Sequence, residues 1–444
     1  MKLLMVSLGC DKNLVDSEVM MGALYKEGYQ FTDDEEEAEI IIVNTCCFIG
    51  DAKEESVNTI LQMAEYKTDN GGRCRALIVC GCLAERYADE IREEIPEVDA
   101  VIGTSAIDSI ITALKSVLDK NEKPVIKEPL NRLPKLDSKR LVTTGGHYAY
   151  LKIAEGCNKH CTYCIIPKLR GTYRSYPVED LVKEASELAQ AGVKELILVA
   201  QETTLYGIDL FGKKSLPMLI NKLSEVDGIE WIRILYAYPE EIDDELIEVI
   251  ATNPKVCHYI DMPVQSGADE VLRKMGRLTN QSDIVEVVNK LRNRIPDICI
   301  RTTLIAGFPG ETDEDHYETM EFVDKVEFDR LGVFTYSREE ETPAASFDGQ
   351  VDEEIKESRR AEIMELQQAI AFEKAEAMIG RELTVFIEGR IVEDNAYAGR
   401  TYMDAPSVDG MIFIQTERDL MSGDMVKVKV TGANEYDLIG ELIS

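Results

Sequence analysis

Three cysteines stand within one short segment of the chain, at Cys157, Cys161 and Cys164 in the string CNKHCTYC. They follow an apolar run at 148–153, typical of a β-strand, and Gly156, which lets the backbone turn tightly. Thiolates this close in sequence can reach one soft metal centre, and cysteine is the usual ligand of iron–sulfur clusters. Three such ligands leave the fourth iron of a 4Fe-4S cluster open to a small molecule.

Zinc is the competing metal for this loop. Structural zinc sites use four protein ligands and usually a paired CxxC spacing. His160 is the remaining candidate ligand, but it lies directly beside Cys161, where it is poorly placed to share a tetrahedron. The spacing therefore favours an iron–sulfur cluster.

A second set of cysteines lies in residues 1–118, where short apolar runs alternate with amphipathic segments. This pattern predicts a doubly wound α/β domain with a parallel sheet, whose ligands bind beyond the carboxyl ends of the strands. The predicted strands are 3–8, 40–43, 77–79 and 100–102, and the predicted helices are 15–27, 53–66, 85–94 and 107–118.

Cysteines follow three of these predicted strands: Cys10 the first, Cys46 the second, and Cys80 and Cys82 the third. Because the carboxyl ends of parallel strands meet at one edge, we expect three thiols to converge there. Spacing alone does not choose between Cys80 and Cys82, and it does not exclude Cys47.

Residues 119–146 are rich in Pro, Lys and Gly with little periodicity, which predicts a linker. Residues 147–375 contain six strand–helix units, which predict a partial (β/α)6 barrel with its chemistry at the carboxyl ends of the strands. The predicted strands are 148–153, 195–200, 231–235, 257–262, 299–305 and 330–335, and the predicted helices are 178–191, 215–226, 241–252, 280–294 and 313–325.

Polar residues on or after these strands are candidates to bind a cofactor through its amino, carboxylate and adenine groups. A tight loop at 307–311 follows the fifth strand. The candidate cofactor-binding residues are Gln201, Glu202, Thr203, Arg233, Gln265 and Arg301.

The remainder of the chain changes character twice. Residues 352–379 form a charged helical run, predicted as a solvated connecting helix. Residues 376–444 form the last domain, where five short β runs with Gly turns predict a small all-β, OB-like barrel. Between 380 and 444 there are twelve acidic and six basic residues, a net charge of −6.

The whole chain carries 49 basic and 83 acidic residues, a formal charge of −34, which disfavours unspecific binding to nucleic acid. Eleven cysteines, an odd number, indicate a reducing compartment and metal binding rather than disulfides. The first ten residues lack a signal-peptide core, and no apolar run reaches the ~20 residues of a membrane span. We therefore expect a cytoplasmic protein.

The extended string GCNKHCTYCIIPKLRGTYRS resembles the radical S-adenosylmethionine enzymes, and specifically their methylthiotransferase branch. The strings SLGCDKNLVDSE, VNTCCFIGDAKEES and CGCLAERY resemble the amino-terminal domain of that branch. The resemblance implies a second 4Fe-4S cluster on Cys10, Cys46 and Cys82. AQETTLYG and LIAGFPGET resemble the segments that receive the amino group and the adenine of S-adenosylmethionine. The last domain resembles the TRAM domain, a module that often binds RNA, although its acidic excess departs from such a surface.

This resemblance implies transfer of a methylthio group to an unactivated carbon, with two 4Fe-4S clusters, two S-adenosylmethionine molecules, an external low-potential reductant and a sulfur donor. RTYMDAPSVDGMIFI at 400–414 resembles the branch that modifies an aspartate β-carbon of small-subunit ribosomal protein twelve. Acidic residues such as Asp404, Asp409 and Glu417 are expected to attract that basic protein.

Two alternatives remain at this point. A related branch modifies an adenosine in transfer RNA. A non-catalytic electron-transfer protein with two clusters is the alternative from another class, and the polar strand ends argue against it.

Overall fold

The computed structural model describes residues 1–135, 139–392 and 395–443. They form three parts in chain order: an α/β domain, an open barrel of parallel strands, and a small closed β-barrel. No helix within these ranges is long and apolar enough to cross a membrane.

The first part is built on one parallel sheet. Its strands are β1 (Lys2–Ser7), β2 (Gln30–Phe31), β3 (Ile40–Thr45), β4 (Ala76–Gly81), β5 (Ala100–Ile102) and β6 (Val125–Ile126). Its helices are α1 (Asp11–Lys26), α2 (Gly50–Ala64), α3 (Cys82–Arg86), α4 (Ala88–Glu94) and α5 (Ile110–Lys120). The strand order is β2-β1-β3-β4-β5-β6, so the order reverses between β1 and β3.

Helices cover both faces of this sheet. As a result, β3 and β4 are buried along their whole length. Ile41 and Leu77 pack with α2, α3 and α4 on one face. Ile40 and Ile78 pack with α1 and α5 on the other. The prediction of a doubly wound domain is confirmed.

The segment predicted as a linker is partly structural. Within it, β6 pairs in parallel with β5 as the sixth strand of the sheet. A run of two strand residues is too short to show a periodicity, which is why the sequence pattern missed both β6 and β2.

The second part is the barrel. Its strands are β7 (Tyr148–Lys152), β8 (Ala154–Glu155), β9 (Arg174–Ser175), β10 (Glu195–Val199), β11 (Trp231–Ile234), β12 (Val256–Asp261), β13 (Cys299–Ala306) and β14 (Arg330–Thr335). Its helices are α6 (Ile166–Arg170), α7 (Val178–Gln190), α8 (Ile208–Phe211), α9 (Leu216–Ser224), α10 (Asp244–Thr252), α11 (Asp269–Lys274), α12 (Gln281–Arg294), α13 (Asp313–Val326) and α14 (Glu353–Glu376).

Six of these strands form the barrel wall, in the order β7-β10-β11-β12-β13-β14, and every pairing is parallel. The wall is an open sheet, as predicted for a partial barrel. The remaining two, β8 and β9, pair antiparallel beside the cysteine loop. All six predicted barrel strands are present.

The helix predicted over 352–379 forms as α14, but its predicted role as a solvated connection is wrong. Ile363 and Ile370 of α14 are buried in the core of the barrel. Gln367 Nε2 donates to the Phe328 carbonyl at 2.9 Å, and Lys356 Nζ donates to that of Tyr336 at 2.9 Å. The buried face of α14 is thus partly polar, so its sequence resembles that of an exposed helix.

The third part is a closed barrel of five strands. They are β15 (Glu382–Ile391), β16 (Ala396–Arg400), β17 (Ile412–Gln415), β18 (Met425–Ala433) and β19 (Leu438–Leu442), in the order β15-β16-β17-β19-β18. Val385, Ile412 and Val428 lie in its core. The predicted small all-β barrel is confirmed.

Between β16 and β17, residues 401–409 form a segment that we call the docking loop. It enters the amino-terminal end of the larger barrel, where Arg233 Nη1 donates to the Tyr402 carbonyl at 2.6 Å. Arg330 pairs with Asp404 at 2.7 Å, and Tyr259 Oη donates to Asp409 at 2.7 Å. The closed barrel is therefore fixed to the open one.

Candidate cofactor sites at the carboxyl end of the barrel

The first candidate site is the loop triad of Cys157, Cys161 and Cys164, which follows β8. The loop is held at its start by a hydrogen bond from Cys157 N to the Gly171 carbonyl, at 3.1 Å. Gly156 has φ +74°, and a Cβ there would collide with the Thr172 carbonyl. Only glycine fits this turn.

In the loop triad, Cys157 and Cys161 are buried and Cys164 is half-buried. Burial raises the pKa of Cys157 to about 11, against the lowering effect of a backbone N–H from Lys159 that lies 3.3 Å from its sulfur. Burial likewise raises the pKa of Cys164 to about 12. Thiolates are the metal-binding form, so a bound metal would supply the positive charge that these buried groups need to ionise.

Side chains from the strand ends surround this loop. Tyr238 Oη lies 3.8 Å from Cys161 Sγ, and the Arg277 guanidinium stacks 4.2 Å above the Tyr238 ring. Nε and Nη1 of Arg277 are buried and have no hydrogen-bond partner among the described residues. Sequence reasoning missed both residues, since neither belongs to a motif with a distinctive spacing.

The second candidate site is the strand-end triad of Cys10, Cys46 and Cys82. Cys10 stands between β1 and α1, Cys46 follows β3, and Cys82 opens α3 directly after β4. Gly9, with φ +83°, allows the close approach, because a Cβ there would lie 2.9 Å from Cys46 Sγ. The triad therefore lies where the strand order reverses, which is the usual ligand site of such sheets.

The strand-end thiols influence one another. Burial raises the pKa of Cys46 to about 12, and the neighbouring Cys82 and Cys10 add to the rise. Burial also raises the pKa of Cys82, whereas the Arg170 guanidinium acts in the opposite direction. Cys82 and Cys10 therefore lie within electrostatic reach of Cys46.

A single metal ion does not fit either triad. The described residues contain no group of three or more His, Cys, Asp or Glu side chains that could hold one ion. A 4Fe-4S cluster spreads its irons over a cube, so each thiolate binds a different iron and the sulfurs stand farther apart. Three thiolates in each triad form a donor set that suits such a cluster.

The other amino-terminal cysteines point elsewhere. Cys80 lies within β4 and is fully buried in one face of the sheet, with its sulfur 3.6 Å from the Val43 carbonyl. Cys47 is fully buried in the core on the opposite face. The structure thus brings Cys82, rather than Cys80, to the strand end.

Glu202 and Gln201 follow β10 close to the loop triad. Glu202 is fully buried and accepts a hydrogen bond from Thr204 N at 3.0 Å. Burial raises the pKa of Glu202 to about 8. Glu202 Oε2 and Gln201 Oε1 are buried with no hydrogen-bond partner in the described parts of the chain. These two oxygens are free to accept hydrogen bonds from a cationic ligand.

Thr203 and Gln265 were also predicted to contact the cofactor. Both lie at strand ends, but their structural roles differ. Thr203 Oγ1 donates to the Leu235 carbonyl at 2.6 Å, so its hydroxyl caps β11. Gln265 has φ +74°, and Tyr236, at the end of the adjacent strand, has φ +60°. Left-handed backbone is uncommon outside glycine and clusters at ligand sites.

Arg233 and Arg301 are not placed with these groups. Arg233 is fully buried, donates to Glu195 at 2.8 Å, and binds the docking loop. Arg301 pairs with Asp261 at 2.7 Å and with Asp409 at 3.3 Å. Both guanidinium groups serve the contact with the closed barrel, because their positions on the strands lie below the carboxyl ends.

The amino-terminal domain sits on the same end of the barrel as the loop triad. Lys12 Nζ lies 3.3 Å from the centroid of the Tyr236 ring, and Tyr236 Oη donates to Asp11 at 3.2 Å. Because Asp11 directly follows Cys10, these contacts bring the strand-end triad to the barrel mouth.

Three family models match successive parts of the chain. "Uncharacterized protein family UPF0004" matches residues 2–103, the "Radical SAM superfamily" matches 151–323, and the "TRAM domain" matches 379–443. The order agrees with the three structural parts.

Solved structures share the fold. The radical S-adenosylmethionine methyltransferase TsrM from Kitasatospora setae, with cobalamin and a [4Fe-4S] cluster bound, has a TM-score of 0.55 at 15% identity, over 77% of this chain and 76% of its own. The cobalamin-dependent S-adenosylmethionine radical enzyme OxsB has a TM-score of 0.54 at 14% identity, over 83% of this chain and 57% of its own.

Curated relatives are far more similar in sequence, and all three named here are called ribosomal protein uS12 methylthiotransferase RimO. The protein from Lachnoclostridium phytofermentans is 59% identical over 99% of both chains. That from Acetivibrio thermocellus is 51% identical over 99% of this chain and 98% of its own, and that from Clostridioides difficile is 47% identical over 100% and 99%. On this similarity, the chain belongs to the radical S-adenosylmethionine methylthiotransferases, in the family of the ribosomal protein uS12 enzymes.

Proposed function

We propose that this chain adds a methylthio group to the β-carbon of an aspartate in ribosomal protein uS12, using two 4Fe-4S clusters and two S-adenosylmethionine molecules. The observation that carries the proposal is the meeting of two cysteine triads at one end of a barrel of the radical S-adenosylmethionine type. An electron carrier needs no buried, unpartnered polar groups at the strand ends beside its cluster.

The donor sets fit these clusters. Cys157, Cys161 and Cys164 would hold one cluster, and the three strand-end thiols would hold the other. Each triad offers three thiolates rather than four, which leaves one iron in each cluster open to a substrate or cofactor. When bound, these groups would supply a 5′-deoxyadenosyl radical that takes hydrogen from the substrate carbon, and the sulfur and methyl that replace it.

The barrel residues would orient S-adenosylmethionine beside the loop triad. The unpartnered oxygens of Glu202 and Gln201 are placed to accept hydrogen bonds from its ammonium group. Arg277, with two unpartnered N–H groups beside Tyr238, is placed to donate to its carboxylate. The strained backbone of Gln265 lies at the neighbouring strand end and would face the adenosine.

The substrate is assigned by charge as well as by similarity. Ribosomal proteins that bind RNA are basic, and a chain with a formal charge of −34 attracts them and repels transfer RNA. This attraction does not come from Asp404 or Asp409, because both side chains are only 2–3% exposed and are paired with arginines. Glu417 is exposed and remains a candidate. A ribosomal substrate and the odd number of cysteines support a cytoplasmic location.

The deciding experiment offers the reconstituted enzyme the two family substrates separately, under anaerobic conditions with S-adenosylmethionine, a sulfur donor and a low-potential reductant. We expect uS12 to gain the mass of one methylthio group on an aspartate, and unmodified transfer RNA to remain unchanged. Modification of the RNA alone would establish the transfer RNA alternative. Cluster reduction without modification of either would favour the electron-transfer alternative.

A further inference from the structure

A buried group of four charges joins the two cluster sites. We call Asp16, Lys152, Glu155 and Arg170 the interdomain quartet. Asp16 lies on α1 of the amino-terminal domain, and the other three lie on β7, β8 and α6 of the barrel. Their side chains are only 2–3% exposed. Two positive and two negative charges give the quartet a net charge of zero.

Arg170 makes the contacts that matter most for the strand-end triad. Its Nη1 donates to Asp16 at 2.8 Å and to Glu155 at 3.2 Å. Its Nη2 donates to Asn13 Oδ1, and that oxygen lies 3.9 Å from Cys82 Sγ. The guanidinium therefore reaches across the domain boundary to the edge of the triad.

Asn13 in turn fixes the strand ends. Its Nδ2 donates to the Leu8 carbonyl at 3.1 Å and to the Thr45 carbonyl at 2.9 Å. Leu8 and Thr45 flank the triad, since Cys10 follows the first closely and Cys46 follows the second directly. Asn13 thus links Arg170 by hydrogen bonds to two of the segments that carry the triad cysteines.

Helix α6 places Arg170 relative to the loop triad, because it begins two residues after Cys164. Ile165 and Leu169 pack in the core of the amino-terminal domain, and the Leu169 carbonyl accepts a hydrogen bond from Thr104 Oγ1 at 2.7 Å. One short helix therefore joins the loop triad to the surroundings of the strand-end triad.

We propose that Arg170 is a positioning residue that sets the reduction potential of the strand-end cluster, so that this cluster is tuned by a residue of the barrel domain. This inference rests on the proposed function, according to which the strand-end triad holds a cluster. A cluster becomes more negative on reduction, and a buried cation beside one of its thiolates stabilises the reduced form. Arg170 Nη2 is directed at Asn13, the side chain beside Cys82 Sγ, whereas Nη1 faces the carboxylates of Asp16 and Glu155, so the cation reaches toward the triad although the quartet is neutral.

The test measures the midpoint potential of the strand-end cluster alone, in full-length protein with Cys157, Cys161 and Cys164 changed to Ala. Redox titration is followed by electron paramagnetic resonance. The double variant R170M/D16N keeps the quartet neutral and removes the cation. We expect its midpoint to shift to a more negative value by at least the equivalent of a tenfold change in the reduced-to-oxidised ratio, about 59 mV for one electron.

Two further variants separate charge from folding. R170K keeps the cation, so we expect a midpoint close to that of the parent. R170Q removes the charge but keeps a hydrogen-bond donor for Asn13. We expect its midpoint to shift to a more negative value, so it replaces R170M/D16N as the test if that variant fails to hold iron. R330M/D404N removes a buried ion pair at the other domain boundary and is expected to leave the midpoint unchanged.

The outcomes are distinguishable. Charge-free variants that hold about four irons with an unmoved midpoint would overturn the inference and leave the proposed function intact. An R170K shift as large as that of R170Q would also overturn it, since charge would not be the cause. A parent protein that holds no iron on the strand-end triad would overturn the proposed function, and this inference with it.

Discussion

The two ends of the open barrel are built on opposite principles. At the amino-terminal end, every guanidinium has a carboxylate or carbonyl partner: Arg233 with Glu195, Arg330 with Asp404, and Arg301 with Asp409. At the carboxyl end, Glu202, Gln201 and Arg277 keep buried polar atoms that lack a partner within the described ranges. Arg330 Nε is the one such atom that we find in the docking-loop contact.

This difference separates stability from function. A buried polar group without a partner destabilises the fold, so it persists where a ligand completes it. Buried pairs that are complete leave nothing for a ligand to bind. We therefore expect substitutions at the carboxyl end to change chemistry, and substitutions at the amino-terminal end to change the free energy of unfolding.

Removal of the loop triad should produce the largest effect. Anaerobically reconstituted protein should hold about eight irons, and the variant with Cys157, Cys161 and Cys164 changed to Ala about four. Cleavage of S-adenosylmethionine should be abolished, because its cluster is lost. Iron analysis and a 5′-deoxyadenosine assay check this. Persisting cleavage, or loss of all iron, would show that the two sites are assigned wrongly.

Substitution of Cys82 should remove the strand-end cluster, whereas substitution of the nearby Cys80 should not. Cys82→Ala removes a ligand, so about four irons should be lost, as they should in Cys46→Ala. Cys80→Ala is the matched control, because its thiol is buried in the face of the sheet. Cys47→Ala should likewise retain the iron. An intact cluster in Cys82→Ala beside a damaged one in Cys80→Ala would reverse the assignment.

At the amino-terminal end, Asp404→Lys should destabilise the chain by at least about 3 kcal/mol, because it replaces a buried partner of Arg330 with a like charge. Glu417→Lys, on the exposed surface of the same domain, should change the free energy of unfolding by less than about 0.5 kcal/mol. Denaturant unfolding measures both. Equal stability of the two variants would contradict the division between the ends.

Glu202→Gln should have a smaller effect in free energy than Asp404→Lys, and a more selective one. Above about pH 8, where this carboxyl is ionised, loss of the charged acceptor should weaken S-adenosylmethionine binding by about 1.5–3 kcal/mol, roughly 10- to 150-fold. The free energy of unfolding should not fall, since a neutral amide is easier to bury than a carboxylate. Equilibrium dialysis of the reconstituted enzyme gives the affinity, and unchanged affinity would remove Glu202 from the site.

The same variant has a pH signature. Because burial raises the pKa of Glu202 from 4.5 to about 8, the folded chain favours the neutral carboxyl. The resulting stability is present below the pKa of the unfolded chain and is lost as pH rises through the folded value. Without cofactors, the wild-type chain should therefore lose stability relative to Glu202→Gln between about pH 4.5 and 8. A constant difference across that range would show an unperturbed carboxyl.

The architecture and the convergence of cysteines at one edge of the amino-terminal sheet were predictable from the sequence. Apolar periodicity gives the strands, and parallel topology places their ends at one edge. The choice of Cys82 over Cys80 was not a matter of spacing: β4 extends to Gly81, so Cys80 points into a face of the sheet while Cys82 lies beyond it. Strand β4 ends two residues later than predicted, and for that reason Cys82, and not Cys80, lies at the strand end.

The roles of Arg233 and Arg301 could not be read from the sequence. Their strands were predicted correctly, but the docking-loop carbonyl and carboxylate that also bind them lie more than a hundred residues away. The same holds for Arg170, whose partner Asp16 lies 154 residues earlier. Pairings at such separations are fixed only by the packing of whole domains.

The docking loop also bears on how such a chain could be assembled from parts. A module that attaches through a flexible tether can be exchanged between proteins without changing its neighbour. Here Arg400 of the closed barrel pairs with Glu195 at 2.8 Å, and Glu195 in turn holds Arg233. A C-terminal domain taken from another protein would need charges that match those on four strands of the open barrel. The closed barrel therefore shares a buried, charged interface with the open barrel and is not an independently attached unit.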